Sequence, residues 1–251
     1  MNKYTLYVHR TCKSSHKLLG YLREKGLLDK IAIVQVEKLD EALAKMLYSV
    51  PALEFRGEII AIDPLEPEFV EALILGDREK VTEYIPKNRD EAIERAKKTI
   101  MYSGYLSLLV LLYGDTRIVW SREFLKRALR SRIEPSNELF VDDLLDNPVQ
   151  EKEIHDALLR VALMNYLRSI VWVLDGKISD ADLTRYNDSI IIASWMMTYV
   201  SIGRTLLPYP GKKEQVMRAA EELSELLSRW GKPYLRRILA EYRELGLART
   251  I

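Results

Sequence analysis

The alternation of strand and helix signals in this chain stops before residue 90. Over residues 1–75 short apolar strands alternate with helical patterns, and from Asp90 onward strand patterning is almost absent. A chain written this way is expected to build a small sheet first and a helical body after it. Tyr4-Thr5-Leu6-Tyr7-Val8 is β-branched and aromatic and reads as a strand. A helix follows, with Leu18, Leu19 and Leu22 on one face and Gly26 as its stop. Residues 31–36 are apolar almost throughout, as a strand covered on both faces should be. Asp40 to Leu47 reads as a short helix. Residues 52–55 and 58–61 flank Arg56-Gly57 and read as a hairpin. Asp63-Pro64 opens a last helix, with Asp63 as its cap and proline tolerated in the first turn. The expected order is β-α-β-α-β-β-α.

The remainder reads as helices over Asp90–Tyr113, Ser121–Ser131, Glu151–Leu174, Ser179–Ile202, Lys213–Trp230 and Pro233–Leu245. Gly76 to Lys87 is charged, ends in Ile85-Pro86 and reads as a linker, and Ile133 to Pro148 reads as a loop. The 251 residues suit two domains. Their expected division is 1–78, a linker over 79–89, and an all-helical part over 90–251.

Charge and cysteine content narrow the function. Lys and Arg number 38 against 37 Asp and Glu, a balance that argues against a general nucleic-acid binder. A single cysteine, Cys12, excludes an intrachain disulfide framework and a Cys-rich metal cluster. With only His9, His16 and His155 besides, no metal is expected. The apolar runs 106–112 and 189–203 are shorter than the roughly 20 residues of a membrane helix and read as buried core helices. No apolar leader precedes the first strand, so a cytoplasmic location is expected. Three Gln and six Asn among so many charged residues fit a thermophile.

Cys12 stands between the first strand and the first helix, and Val50-Pro51 enters the third strand. With the element order, these residues resemble the thioredoxin/glutaredoxin fold over about residues 3–75. A thiol at a helix N-terminus faces unpaired N–H groups and the positive end of the macrodipole, which favour thiolate. His9, Arg10, Lys13, His16 and Lys17 surround it in sequence and are expected to lower its pKa further. The resemblance implies a cis Val50–Pro51 bond, with backbone groups beside the cysteine pairing with an extended thiol substrate. Arg10, Thr11, Lys13, Val50 and Pro51 are the implied thiol-binding positions. Ser15, in Cys12-Lys13-Ser14-Ser15, stands where the family has a resolving thiol, which limits the chain to monothiol chemistry. The hydroxyl of Ser15 is a donor for the Cys12 thiolate. Asp63 matches the acidic position that fixes the γ-glutamyl group of glutathione, but Pro64 follows where a hydroxyl-bearing residue is usual.

A thioredoxin-like domain followed by a helical one is similar to the layout of glutathione S-transferases. Ser179-Asp180-Ala181-Asp182 resembles that family's capping box, Ser179 bonding the N–H of Asp182 and Asp182 reaching back, with Ile178 stapled onto Leu183. Tyr102, Tyr105 and Tyr113 lie on the helix that lines a substrate pocket in such proteins, or pack in the core. The resemblance implies a monothiol thiol–disulfide oxidoreductase or glutathione-transferase-like enzyme. Cys12 and Ser15 would be its catalytic residues, glutathione or another small thiol its cofactor, and a small thiol or protein mixed disulfide its partner. A homodimer is implied, with neither nucleic acid nor membrane as partner. The alternative is a non-catalytic interaction module on the same fold.

Overall fold

The computed structural model describes residues 3–9, 12–36, 47–201 and 213–244. It has a small mixed sheet early in the chain and helices through the rest. Packing groups the chain into two units that interleave in sequence. The first comprises residues 1–103 and 119–149, the second 104–118 and 150–251. The boundary expected at 79–89 falls inside the first unit.

In the first unit, strands β1 (Tyr4–Val8), β2 (Ala32–Gln35), β3 (Ala52–Phe55) and β4 (Glu58–Ile62) form one sheet in the order β2-β1-β3-β4. β1 pairs parallel with β2, Leu6 opposite Ile33, and antiparallel with β3, Leu6 opposite Leu53. β3 and β4 form the expected hairpin, in which Arg56 and Gly57 both take positive φ. β2 lies at an edge among the described strands, and Ile33 is 42% exposed. The expectation of a strand covered on both faces is therefore corrected. The helix read over 40–47 lies, but for Leu47, outside the described residues.

Leu6, Val8 and Leu53 of the sheet share a core with Leu18 and Leu22 of α1 (Lys13–Glu24) and with Phe69 and Val70 of α2 (Pro67–Leu75). Gly26, at φ 65°, follows the end of α1 as the sequence indicates. The start of α2 is corrected. Asp63 does not cap it; Glu66 precedes the helix and Pro67 takes its first turn.

The charged linker contains α3 (Arg78–Thr82), capped by Asp77. After it comes α4 (Arg89–Tyr102), capped by Asn88. Ser121 caps α6 (Arg122–Ala128), its Oγ accepting from the Phe124 N–H at 3.2 Å. The loop read over 133–148 instead holds a 3-10 turn and α7 (Glu138–Asp146). Val141 and Leu144 bury one face of that helix, and the Trp120 Nε1–H donates to the Leu144 carbonyl at 2.6 Å. The helices of this unit also pack together, α6 against β4 and α4 against α6.

The second unit consists of α5 (Gly104–Tyr113), α8 (Glu151–Val173), α9 (Ser189–Ser201) and α10 (Lys213–Glu244). The single helix expected over 90–113 is thus two, broken at Ser103, whose backbone is extended. Gly104 opens α5 against Asn165 of α8, where a Cβ would sit 2.5 Å from the Asn165 side chain. Residues 106–112 are buried all round, as a core helix should be. The helix expected from Ser179 is also corrected. A 3-10 turn occupies Asp182–Tyr186, and Asp188 then caps α9 by accepting from the N–H groups of Ile190 and Ile191. The break expected between Trp230 and Pro233 does not occur. The apolar stripe Val216, Ala220, Leu223, Leu227, Gly231, Leu235, Ile238 and Tyr242 keeps its phase through Pro233, and one missing N–H does not outweigh it. No helix among the described residues is long and apolar enough to cross a membrane.

Candidate functional site

Cys12 occupies the N-cap of α1, where its backbone is extended and its side chain turns back over the first turn. The thiol is partly buried. Sγ accepts from the Ser15 N–H at 3.5 Å and donates to the Val50 carbonyl at 3.3 Å. Val50 enters β3 through a cis bond to Pro51, as the sequence reading expects. Ser15 is fully buried, and its Oγ accepts from the His9 N–H at 3.3 Å and bonds the Cys12 side chain. A single cysteine and a buried serine three residues on thus form a Cys-x-x-Ser arrangement at one helix terminus.

Asp63 is brought to the same place by the end of β4. It is 2% exposed, and its Oδ1 accepts from the Leu65 N–H at 3.3 Å. The Ser14 hydroxyl also bonds this carboxyl, which links Asp63 to the first turn of α1. Like Val50–Pro51, the Asp63–Pro64 bond is cis. Lys13 stands exposed at the first position of α1. Arg10 and Thr11 lie outside the described residues.

The electrostatics differ from the expected low-pKa thiolate. Burial pushes the Cys12 thiol up, the hydroxyl and N–H of Ser15 pull it down, and Asp63 pushes it up again, for a net rise. The helix terminus supplies donors, but they do not outweigh the removal from water. Burial likewise pushes the Asp63 carboxyl up to about 7, against the bonds from Ser14 and Leu65 and with help from Glu66. Near neutral pH burial thus favours a protonated thiol and opposes ionisation of the carboxyl beside it.

A second layer, absent from the sequence reading, lies behind Asp63. Arg130 is completely buried. Its Nη2–H donates to the Pro64 carbonyl at 3.1 Å, its Nη1–H to the Tyr84 carbonyl at 3.0 Å, and the guanidinium lies 3.5 Å over the Phe69 ring. It also pairs with Glu66. Arg95 donates to the same Pro64 carbonyl at 3.1 Å, to Glu66 Oε1 at 3.1 Å and to the Ala128 carbonyl at 2.9 Å. Burial and the nearby Arg95 pull Arg130 down to about 9, which leaves it cationic at neutral pH. Burial opposes ionisation of Glu66, but Arg130 and Arg95 hold it below its ordinary value. Arg130 also takes φ 59° just past the end of α6, where glycine or asparagine is usual. An arginine there costs about 1 kcal/mol of backbone strain.

The other residues singled out in the sequence lie elsewhere. Asp182 Oδ2 accepts from the Ser179 N–H at 2.9 Å and the Ser179 hydroxyl at 2.6 Å, so the carboxylate half of the capping box forms. The Asp182 N–H bonds the Ser179 carbonyl instead of its hydroxyl, and the turn that follows is 3-10. Tyr102 is exposed on α4, while Tyr105 and Tyr113 belong to α5, so no single helix carries all three. Among the described residues no group of three or more His, Cys, Asp or Glu side chains is arranged to hold a metal ion. A groove lined by Thr82, Ile85, Pro86, Leu139 and Phe140 contains none of the residues around Cys12. No protein-family model, curated protein or solved structure matches the chain.

Proposed function

We propose that the chain is a thioredoxin-fold protein of the glutathione-transferase-like type that carries out monothiol exchange through Cys12. One observation carries this reading. Sγ sits at a helix N-cap between the Ser15 N–H and the Val50 carbonyl, at the entry to β3. An extended disulfide substrate lying along Val50 would present a sulfur to Sγ. The Cys12 thiol first loses its proton to solvent base. The thiolate then attacks the substrate disulfide, forming a Cys12–substrate bond and expelling the other sulfur as thiolate. With no second cysteine in the chain, an external thiol must attack that mixed disulfide and release Cys12. Ser15 stabilises the charge on Sγ during both displacements.

The external thiol is a small thiol, not glutathione held through a γ-glutamyl site at Asp63. That carboxyl is buried, engaged by Ser14 and Leu65, and followed by a proline without an N–H. Buried and engaged in this way, it is closed to the amino group of a ligand. Homodimerisation and a cytoplasmic location belong to the same reading, the dimer resting on the family resemblance, and a thermophilic source rests on the scarcity of Gln and Asn among so many charged residues.

A second reading, a non-catalytic interaction module, is favoured by the raised Cys12 pKa. Reaction with 2-hydroxyethyl disulfide, followed by intact mass across pH with C12S as the blank, separates the two. A mixed disulfide that forms faster as pH rises and is released by added thiol supports exchange. A folded protein whose thiol stays unmodified at alkaline pH leaves the non-catalytic reading standing.

A further inference from the structure

The residues that surround Cys12 do not hold themselves in place. Asp63 reaches the first turn of α1 through the Ser14 hydroxyl, and the peptide that aims it ends in the Pro64 carbonyl. That carbonyl accepts from two guanidinium groups, Arg95 Nη2–H and Arg130 Nη2–H, each at 3.1 Å. Glu66, two residues on, is gripped by the same pair. The two arginines are anchored in turn, Arg95 on the Ala128 carbonyl and Arg130 on the Tyr84 carbonyl and the Phe69 ring. Every one of these partners belongs to the first unit.

A buried arginine at positive φ is a poor choice for a helix end and a poor choice for a core. Its presence makes sense as a device that fixes a neighbouring backbone, since a guanidinium presents several donors in a rigid planar fork. A lysine in its place has a single nitrogen and cannot reach two carbonyls and a carboxylate in that plane.

We propose that Arg95 and Arg130 are positioning residues for Cys12: they hold the Pro64 carbonyl between them and thereby fix the Asp63 carboxyl against Ser14 beside the thiol. Among the described residues, Glu66 acts on the Asp63 carboxyl and Asp63 on the Cys12 thiol, while Arg95 and Arg130 hold the Pro64 carbonyl. Glu66 is paired with the two arginines, and among the described residues Asp63 is the carboxyl whose charge raises the thiol. The consequence for exchange rests on the proposed role of Cys12; the positioning itself does not.

The test is a coupling cycle read at the sulfur. With carbon-13 at cysteine Cβ, the single cysteine gives one signal, and its shift against pH reports Cys12 alone. D63N is compared with the parent in three backgrounds: wild type, R95M and R130K. In wild type, D63N lowers the titration midpoint of Cys12. In R95M and in R130K the same substitution moves the midpoint by less than half as much, because Asp63 is no longer held at the thiol. A merely structural role for the arginines lowers stability but leaves the D63N shift intact. An undiminished D63N shift in folded R95M overturns the proposal. Should R130K fail to fold by circular dichroism, R95M decides alone, since it leaves Arg130 paired with Glu66. Mixed-disulfide formation by the wild type is measured alongside. Its absence removes the exchange function while the coupling cycle still reads the positioning.

Discussion

At the scale of single residues, the site is set by how far two acids, the Cys12 thiol and the Asp63 carboxyl, are drawn out of water. Burial raises both, and the donors at the start of α1 offset only part of that rise for the thiol. For Asp63 the sign is clear. Its folded pKa of about 7 lies above the unfolded value of about 3.9, so its contribution to stability is complete below pH 4 and is lost as pH climbs toward 7. D63N is therefore expected to leave stability almost unchanged at pH 4 and to raise it at pH 8 by up to about 4 kcal/mol. Denaturant melts at the two pH values check this, and equal effects at both would contradict it. S15A removes a hydroxyl that favours the thiolate. Its alkylation profile should shift to higher pH, with a lower rate at pH 7, measured against C12S. Cys12, Ser15, Val50 and Pro51 were legible in the sequence because each depends on local order: a helix terminus, a spacing of three, an X–Pro bond. Asp63 was visible as an acid next to a proline, but its burial was not. Arg95 and Arg130 act on a carbonyl 31 and 66 residues away in sequence, and such bonds leave no periodic trace.

At the scale of elements, the helices with a regular apolar stripe are the ones the sequence located well. Glu151–Val173 falls within one residue of its expected end, and the capping box of Gln150 and Glu153 explains where it starts. Breaks were harder to see. Ser103-Gly104 has no proline, and only the close approach of Asn165 shows why glycine is needed there. G104A should displace the Asn165 amide from its bond to the Val161 carbonyl and cost about 1–2 kcal/mol. Adding N165A should recover part of that loss in a thermal or urea melt, and strict additivity would refute the explanation. α8 and α10 are also joined by His155, whose Nδ1 meets Glu151 and whose Nε2 meets Glu222 at 2.7 Å. Burial lowers its pKa, but the two carboxylates outweigh burial and raise it overall. The imidazolium clasp is then complete below about pH 6.5 and is lost as pH rises through the folded value. H155A should cost about 1–3 kcal/mol at pH 5.5 and clearly less at pH 9, a difference that chemical denaturation resolves.

At the scale of the whole molecule, a β-rich beginning and a helical remainder were plain from patterning alone, because period 2 and period 3.6 look different in any sequence. The composition of the units was not plain, because it depends on contacts between distant segments. The first unit takes back residues 119–149 after the chain has already entered the second. A fragment ending at residue 89 therefore lacks α4 and α6, and with them Arg95, Arg130 and the helix that packs on β4. Such a fragment should bind a hydrophobic dye and melt without a cooperative transition, whereas a cooperative melt would show that the sheet stands alone. The same interleaving bears on synthesis. α5, buried all round through residues 106–112, leaves the ribosome well before α8, its packing partner, begins at Glu151. For the time needed to translate some forty residues, this apolar helix lacks the helix it packs on. A nascent chain in that interval is a natural client for a holdase, and its yield should depend on how fast ribosomes traverse the codons for 114–150.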